Sequence, residues 1–222
     1  MKIKEIIKTI RNNFLYKTLC ASFFSLIVTF IFAVYNAYLG IKYADAFAIG
    51  ISIYYTFLIW IKFATLVVEK KITQKDDEVK TNIRIKNYKI SSIFIFVIDF
   101  CLIAPIILMV VQPKEVGFGI TPAIVMAAYS VYKIIFAIIN YKRSKKSQNP
   151  TIILLRQINI IEAIVSILIL QHTLIMVNGG MDESMRILSL ATSIGFIGLI
   201  VVFSILSFWK NRKLLKAKEH RS

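Results

Sequence analysis

The sequence predicts an all-α polytopic membrane protein, a bundle of six transmembrane helices with both termini in the cytoplasm. Three observations carry that prediction. Hydrophobic residues fill 57% of the 222 positions and mean hydropathy is +0.69, well above the roughly 45–50% apolar content of soluble domains. They gather in six long runs, each near the roughly 20 residues that a helix needs to cross about 30 Å of hydrocarbon. The basic residues fall almost wholly between these runs and crowd alternate connections. Such unbroken runs lack the short alternating strands of a membrane barrel, so the backbone must satisfy itself as helix.

Residues 1–17 form a cytoplasmic amphipathic segment. Ile3, Ile6, Ile7, Ile10 and Phe14 share one helical stripe with the charges largely elsewhere, the pattern of an interfacial helix; a plain extension of the first span is the alternative. A cleaved signal peptide fits less well. The run from Thr18 to Gly40 exceeds an h-region of about 7–15 residues and has no clear small-x-small cleavage site.

The membrane domain covers 18–208, with spans near 18–40, 46–68, 90–111, 122–140, 151–177 and 187–208. Thr121-Pro122 and Asn149-Pro150 each place a capping side chain before a proline suited to the first helical position. Gly179 after Asn178 is a helix stop. The connection around Lys75-Asp76-Asp77-Glu78, about twenty residues by these boundaries, reads as a solvated hairpin loop. Residues 209–222 are a basic cytoplasmic tail.

Orientation follows from lysine and arginine. The N-terminal segment carries Lys2, Lys4, Lys8, Arg11 and Lys17; the second connection carries Lys70, Lys71, Lys75, Lys80, Arg84, Lys86 and Lys89. Lys142, Arg143, Lys145, Lys146 and Arg156 surround the fourth connection, and six more basic residues follow Trp209. The opposite side holds only Lys42, Lys114 and Arg186. The net charge of +16 therefore suits a membrane with anionic headgroups at the cytoplasmic side, and nucleic acid is not an expected partner. The Ile, Lys and Asn bias points to a bacterial cytoplasmic membrane.

Four ionisable residues, Lys62, Asp99, Lys133 and Glu162, lie inside apolar runs, where a charge at a helix centre costs about 2.5–3.5 kcal/mol on insertion scales. Each lysine has an acid on the next helix across a cytoplasmic hairpin, so the expected pairs are Lys62–Asp99 and Lys133–Glu162. Snorkelling of either lysine to the inner surface is the alternative. Tyr54, Tyr55, Tyr129 and Tyr132 lie deep enough in their spans to need buried partners and to line a polar pathway. Tyr35, Asn36 and Tyr38 read as an interfacial belt, and His172 as an interfacial side chain satisfied by water or backbone.

Pro105, six residues after Asp99, frees the carbonyl of Cys101 and makes a kink or a hinge. Ala191 and Gly195, four apart on the last span, form a small-residue face for close helix packing, within the bundle or in a homo-oligomer. Cys20 and Cys101 sit in apolar segments, and no zinc helix, Cys-x-x-Cys, nucleophile elbow or phosphate loop is present. Neither an enzyme nor a cofactor is expected. The substrate-binding subunits of energy-coupling-factor vitamin transporters share this size and span count, but the first span lacks their spaced docking alanines and no family is recognised. The leading expectation is a small-solute or ion transporter, or a membrane-embedded transporter subunit, which should show a water-accessible cavity reaching Asp99 or Glu162. The alternative is a non-transporting regulator, immunity factor or assembly partner acting by helix contact with another membrane protein, which should show a dry, closed bundle and a conspicuous lateral groove.

Overall fold

The computed structural model describes residues 14–111, 119–144, 147, 149–178, 183–184, 187, 189–202 and 205. Helices account for nearly all of them: α1 Phe14–Tyr43, α2 Ala46–Ile72, α3 Asp77–Cys101, α4 Ile103–Val111, α5 Ile120–Ser144 and α6 Pro150–Val177, with α7 at Ser189–Val202. Five segments are long and apolar enough to cross a membrane, with α3 and the start of α4 serving as one span from Asp77 to Ile107. The described part of the expected sixth span is α7. The expected N-terminal amphipathic segment, apart from residues 14–17, the tail 209–222 and Gly179 all lie outside the described residues.

Local chemistry accounts for the helix ends. Between α1 and α2 the chain turns on Ala44, which has φ 51°, and Asp45, whose carboxylate accepts the Phe47 N–H at 3.0 Å. The hairpin is close because Gly40 has no side chain: a Cβ there stands 2.5 Å from Ile49 Cγ1. Asn149 caps α6 by accepting the Thr151 N–H at 3.0 Å, with Pro150 at the first position, as its sequence predicts. The other proline start differs slightly. α5 begins at Ile120, so Thr121 lies inside the first turn instead of capping it.

The expected twenty-residue loop between the second and third spans is instead a tight turn over residues 73–76. Both helices continue past the apolar runs into charged sequence, because Lys, Glu and Arg are good helix formers when solvated. Arg84 and Glu69 join the two extensions through a salt bridge, and Lys80 pairs with Asp77 one turn away at 3.0 Å. The break between α3 and α4 falls at Leu102, whose N–H turns back to the Asp99 carbonyl at 3.3 Å. Pro105 lies three residues further on, where its ring cannot donate to Cys101.

α6 has the largest buried share of the spans. It packs most extensively on α5 and also meets α1, α2 and α3, while α1 and α2 form the other extensive pair. The outward faces carry Phe24, Phe30, Trp60, Phe94 and Ile124, all exposed. Large apolar side chains turned outward on every side, with polar ones inside, are the pattern of a bundle whose solvent is lipid.

Candidate functional site

A buried charge centre lies at the middle of the bundle. Glu162 Oε2 accepts from Lys133 Nζ at 2.6 Å and from Lys62 Nζ at 2.8 Å. Lys133 also donates to Thr29 Oγ1 at 2.6 Å, and Ser25 Oγ lies 3.2 Å from Lys62 Nζ and 3.3 Å from Lys133 Nζ. Glu162 and Lys62 are 0% exposed and Lys133 is 1% exposed, so neither lysine snorkels. Four helices supply the centre: α1, α2, α5 and α6. Thr29, Lys62, Lys133 and Glu162 each stand within three residues of the midpoint of their helix.

One expected pair is therefore present and the other is not. Lys133 meets Glu162, but Lys62 reaches the same carboxylate and not Asp99. Sequence adjacency favours α3 as the partner of α2, yet the Lys62 face of α2 looks onto α6, the central helix. Asp99 instead accepts the Tyr54 hydroxyl at 2.9 Å.

The four tyrosines gather between these two acids. Tyr54 and Tyr55 have ring centroids 6.2 Å apart, Tyr55 and Tyr129 meet edge to face at 6.3 Å, and Lys133 Nζ lies 5.4 Å from the centre of the Tyr129 ring. Tyr132 flanks the same ammonium at 6.0 Å. A chain of groups thus runs from Asp99 through Tyr54, Tyr55 and Tyr129 to Lys133 and Glu162. The hydroxyls of Tyr55, Tyr129 and Tyr132 are buried and make no hydrogen bond of ordinary geometry among the described residues.

Two further buried pairs extend the polar interior towards both ends. At the Lys-rich end Glu69 holds Arg84 and accepts from Thr151 Oγ1 at 2.8 Å. At the other end His172 Nε2 lies 2.9 Å from Asp45 Oδ2, and His172 is buried at 2% exposure instead of interfacial. Asp45, Tyr54, Lys62 and Glu69 come from the start or body of α2, so one helix contributes to each of four polar layers. Burial pushes the Asp45 carboxyl pKa up, but the hydrogen bond and charge of His172 and the Phe47 and Ala48 amides outweigh it. The net result is a carboxyl below its usual range.

Sequence reasoning missed the α1 contribution. Ser22, Ser25, Thr29 and Asn36 are all buried, and their spacing draws one stripe along the first span; that spacing is a readable signal in a helix otherwise made of Phe, Ile, Leu and Val. Asn36 is buried and donates to its own Phe32 carbonyl at 2.8 Å, whereas Tyr38 is exposed. Pro105 packs on α2, where a Cβ added to Gly50 stands 2.7 Å from its Cβ. Ala191 and Gly195 lie away from the centre. Both are exposed, and a Cβ at Gly195 meets nothing within 4 Å among the described residues.

These features define a helical integral membrane protein with a charged interior. Comparison with protein-family models, curated proteins and solved structures gave no match.

Proposed function

We propose that this protein is an ion transporter, and that the cargo its interior suits best is the proton. One observation supports the reading: ionisable and hydroxyl groups form a ladder through the bundle, with the Asp99-to-Glu162 chain at its heart. Chains of acids, histidines and hydroxyls are the usual means of moving protons through a membrane protein. Within the central layer two ammonium groups share one carboxylate, which leaves a formal positive charge in excess. A purely structural pair has no use for the second lysine, since breaking even with desolvation is already difficult for a matched pair. The water-accessible cavity that a solute transporter should open to Asp99 or Glu162 is not among the described recesses, neither of which is lined by Lys62, Asp99, Lys133 or Glu162. A proton passed between side chains needs no solute-sized cavity, which is why it suits this interior better than a larger cargo.

The test is reconstitution of the full chain into liposomes loaded with a pH-sensitive dye, followed by an imposed pH gradient. Wild type should collapse the gradient faster than empty vesicles, and Asp99→Asn and Tyr129→Phe should slow it at least tenfold. Equal rates for wild type and empty vesicles reject proton carriage.

A second reading, a non-transporting protein that acts by helix contact, is favoured by the sealed packing around Glu162 together with the open Ala191–Gly195 face. It predicts no flux and a cysteine at Gly195 that cross-links to a neighbour in native membranes.

A further inference from the structure

A lateral recess of about 1160 Å³ opens where α1, α2 and α3 meet at the Lys-rich end of the bundle. Its inner wall is apolar, with Leu15, Leu19 and Phe23 on α1 and Leu66 on α2. From Leu15 to Phe23 the wall runs about 12 Å along the helix axis, close to the roughly 15 Å hydrocarbon depth of one leaflet. Its rim is polar. Arg84 is engaged by Glu69 and Lys80 by Asp77, so their charges are largely answered within the protein. Lys70 and Lys71, also on the rim, are exposed and make no ion pair among the described residues.

We propose that this recess is a binding site for one anionic phospholipid of the inner leaflet, its phosphate held by Lys70 and Lys71 and an acyl chain laid against Leu19, Phe23 and Leu66. Three features converge on that occupant. The recess is apolar below and cationic above, in the same order as a lipid of the leaflet that the basic connections face. Its volume of about 1160 Å³ slightly exceeds the roughly 300–1,000 Å³ of ordinary ligand pockets, enough for a headgroup and part of a chain. Charge also favours a lipid phosphate over the basic segment 1–13 as the partner of Lys70 and Lys71. Residues 1–13, which lie outside the described residues, carry Lys2, Lys4, Lys8 and Arg11 against Glu5 alone, a charge of the same sign as that of Lys70 and Lys71. The site is separate from the central charges, and its test does not depend on transport.

The experiment is native mass spectrometry of the full chain exchanged into detergent with equimolar phosphatidylglycerol and phosphatidylcholine. Wild type should retain one phosphatidylglycerol in at least fivefold preference. Lys70→Gln with Lys71→Gln should abolish that preference, and Leu66→Trp, which fills the wall, should lower retention of both lipids; circular dichroism and melting verify that each variant is folded. Lys142→Gln, an exposed lysine beyond the recess, should leave the preference unchanged, and soluble glycerol phosphate at millimolar concentration should not displace the lipid. Equal retention of the two lipids, an equal effect of Lys142→Gln, or retention that begins only when residues 2–12 are removed would each overturn the proposal.

Discussion

Glu162 is the residue on which the interior depends. Two lysines answer to one carboxylate, so the cost of substitution should be asymmetric. Glu162→Gln strands both ammonium groups at a cost of at least the 3–5 kcal/mol seen when a buried pair loses one partner, about the range that unfolds a marginal bundle. Lys62→Met or Lys133→Met leaves a matched pair and should cost less, on the order of 1–2 kcal/mol for packing and lost hydrogen bonds. Replacing Lys133 and Glu162 together leaves Lys62 alone; only the triple change with Lys62→Met removes every charge of the centre. Thermal melting of this set in detergent checks the order, and equal losses for Glu162→Gln and Lys133→Met would refute the shared carboxylate. Asp45 supplies a pH signature at the other end. Its folded-state pKa lies below its unfolded value, so its stabilising effect is full above about pH 4 and disappears as pH falls through the folded value. The melting difference between wild type and Asp45→Asn should therefore shrink as pH falls below about 4.

The glycines separate helix faces that are closed from those that are open. Gly50 lies under Pro105, and a Cβ there stands 2.7 Å from the ring; overpacking of this kind costs about 1–3 kcal/mol. Gly50→Ala should lower the melting temperature, and it should cost less in a Pro105→Gly background, which removes both the Cβ at 2.7 Å and the Cγ at 3.2 Å. Gly195 gives the opposite expectation, since no described atom lies within 4 Å of its added Cβ. Gly195→Leu should leave the melting of the monomer unchanged, and any fall must come with loss of an oligomer, which size-exclusion chromatography with light scattering will reveal. The same contact bears on the break at Leu102. Movement of α4 as a hinge requires Pro105 to leave Gly50, so a disulfide between cysteines placed on α2 and α4 at that contact will separate a fixed kink from a moving one.

At the scale of the molecule, the bundle places charge in its interior and apolar surface outside, the inverse of a soluble domain. The basic ends should face the cytoplasm. A reporter active only outside the cytoplasm, fused after Ser222 or within residues 142–149, should give no signal, while one placed in the Asp45 turn should; signal at Ser222 would rule out the proposed orientation. If protons pass through the interior, the Asp99 variant should keep this topology and still lose flux, which distinguishes a broken path from a misinserted chain.

The sequence by itself determined the all-helical membrane class of the protein, because about 20 apolar residues in a row leave a chain few choices in lipid. It also marked Lys62, Asp99, Lys133, Glu162 and the four tyrosines, since such residues are rare in a bilayer unless they face inward. The partner of each charge was decided only by the tertiary structure. Hydropathy and loop length say which helices are consecutive and not which one is central, and α6 packs on α1, α2 and α3, distant from it in sequence, as well as on adjacent α5. Lys62 therefore finds Glu162 one hundred residues away, Asp45 finds His172, and Ser25 and Thr29 join the centre from a helix whose polar stripe is quiet beside its phenylalanines. Helix length was likewise settled beyond the apolar runs, because Glu69 and Arg84 attract each other across a turn that hydropathy alone reads as a loop.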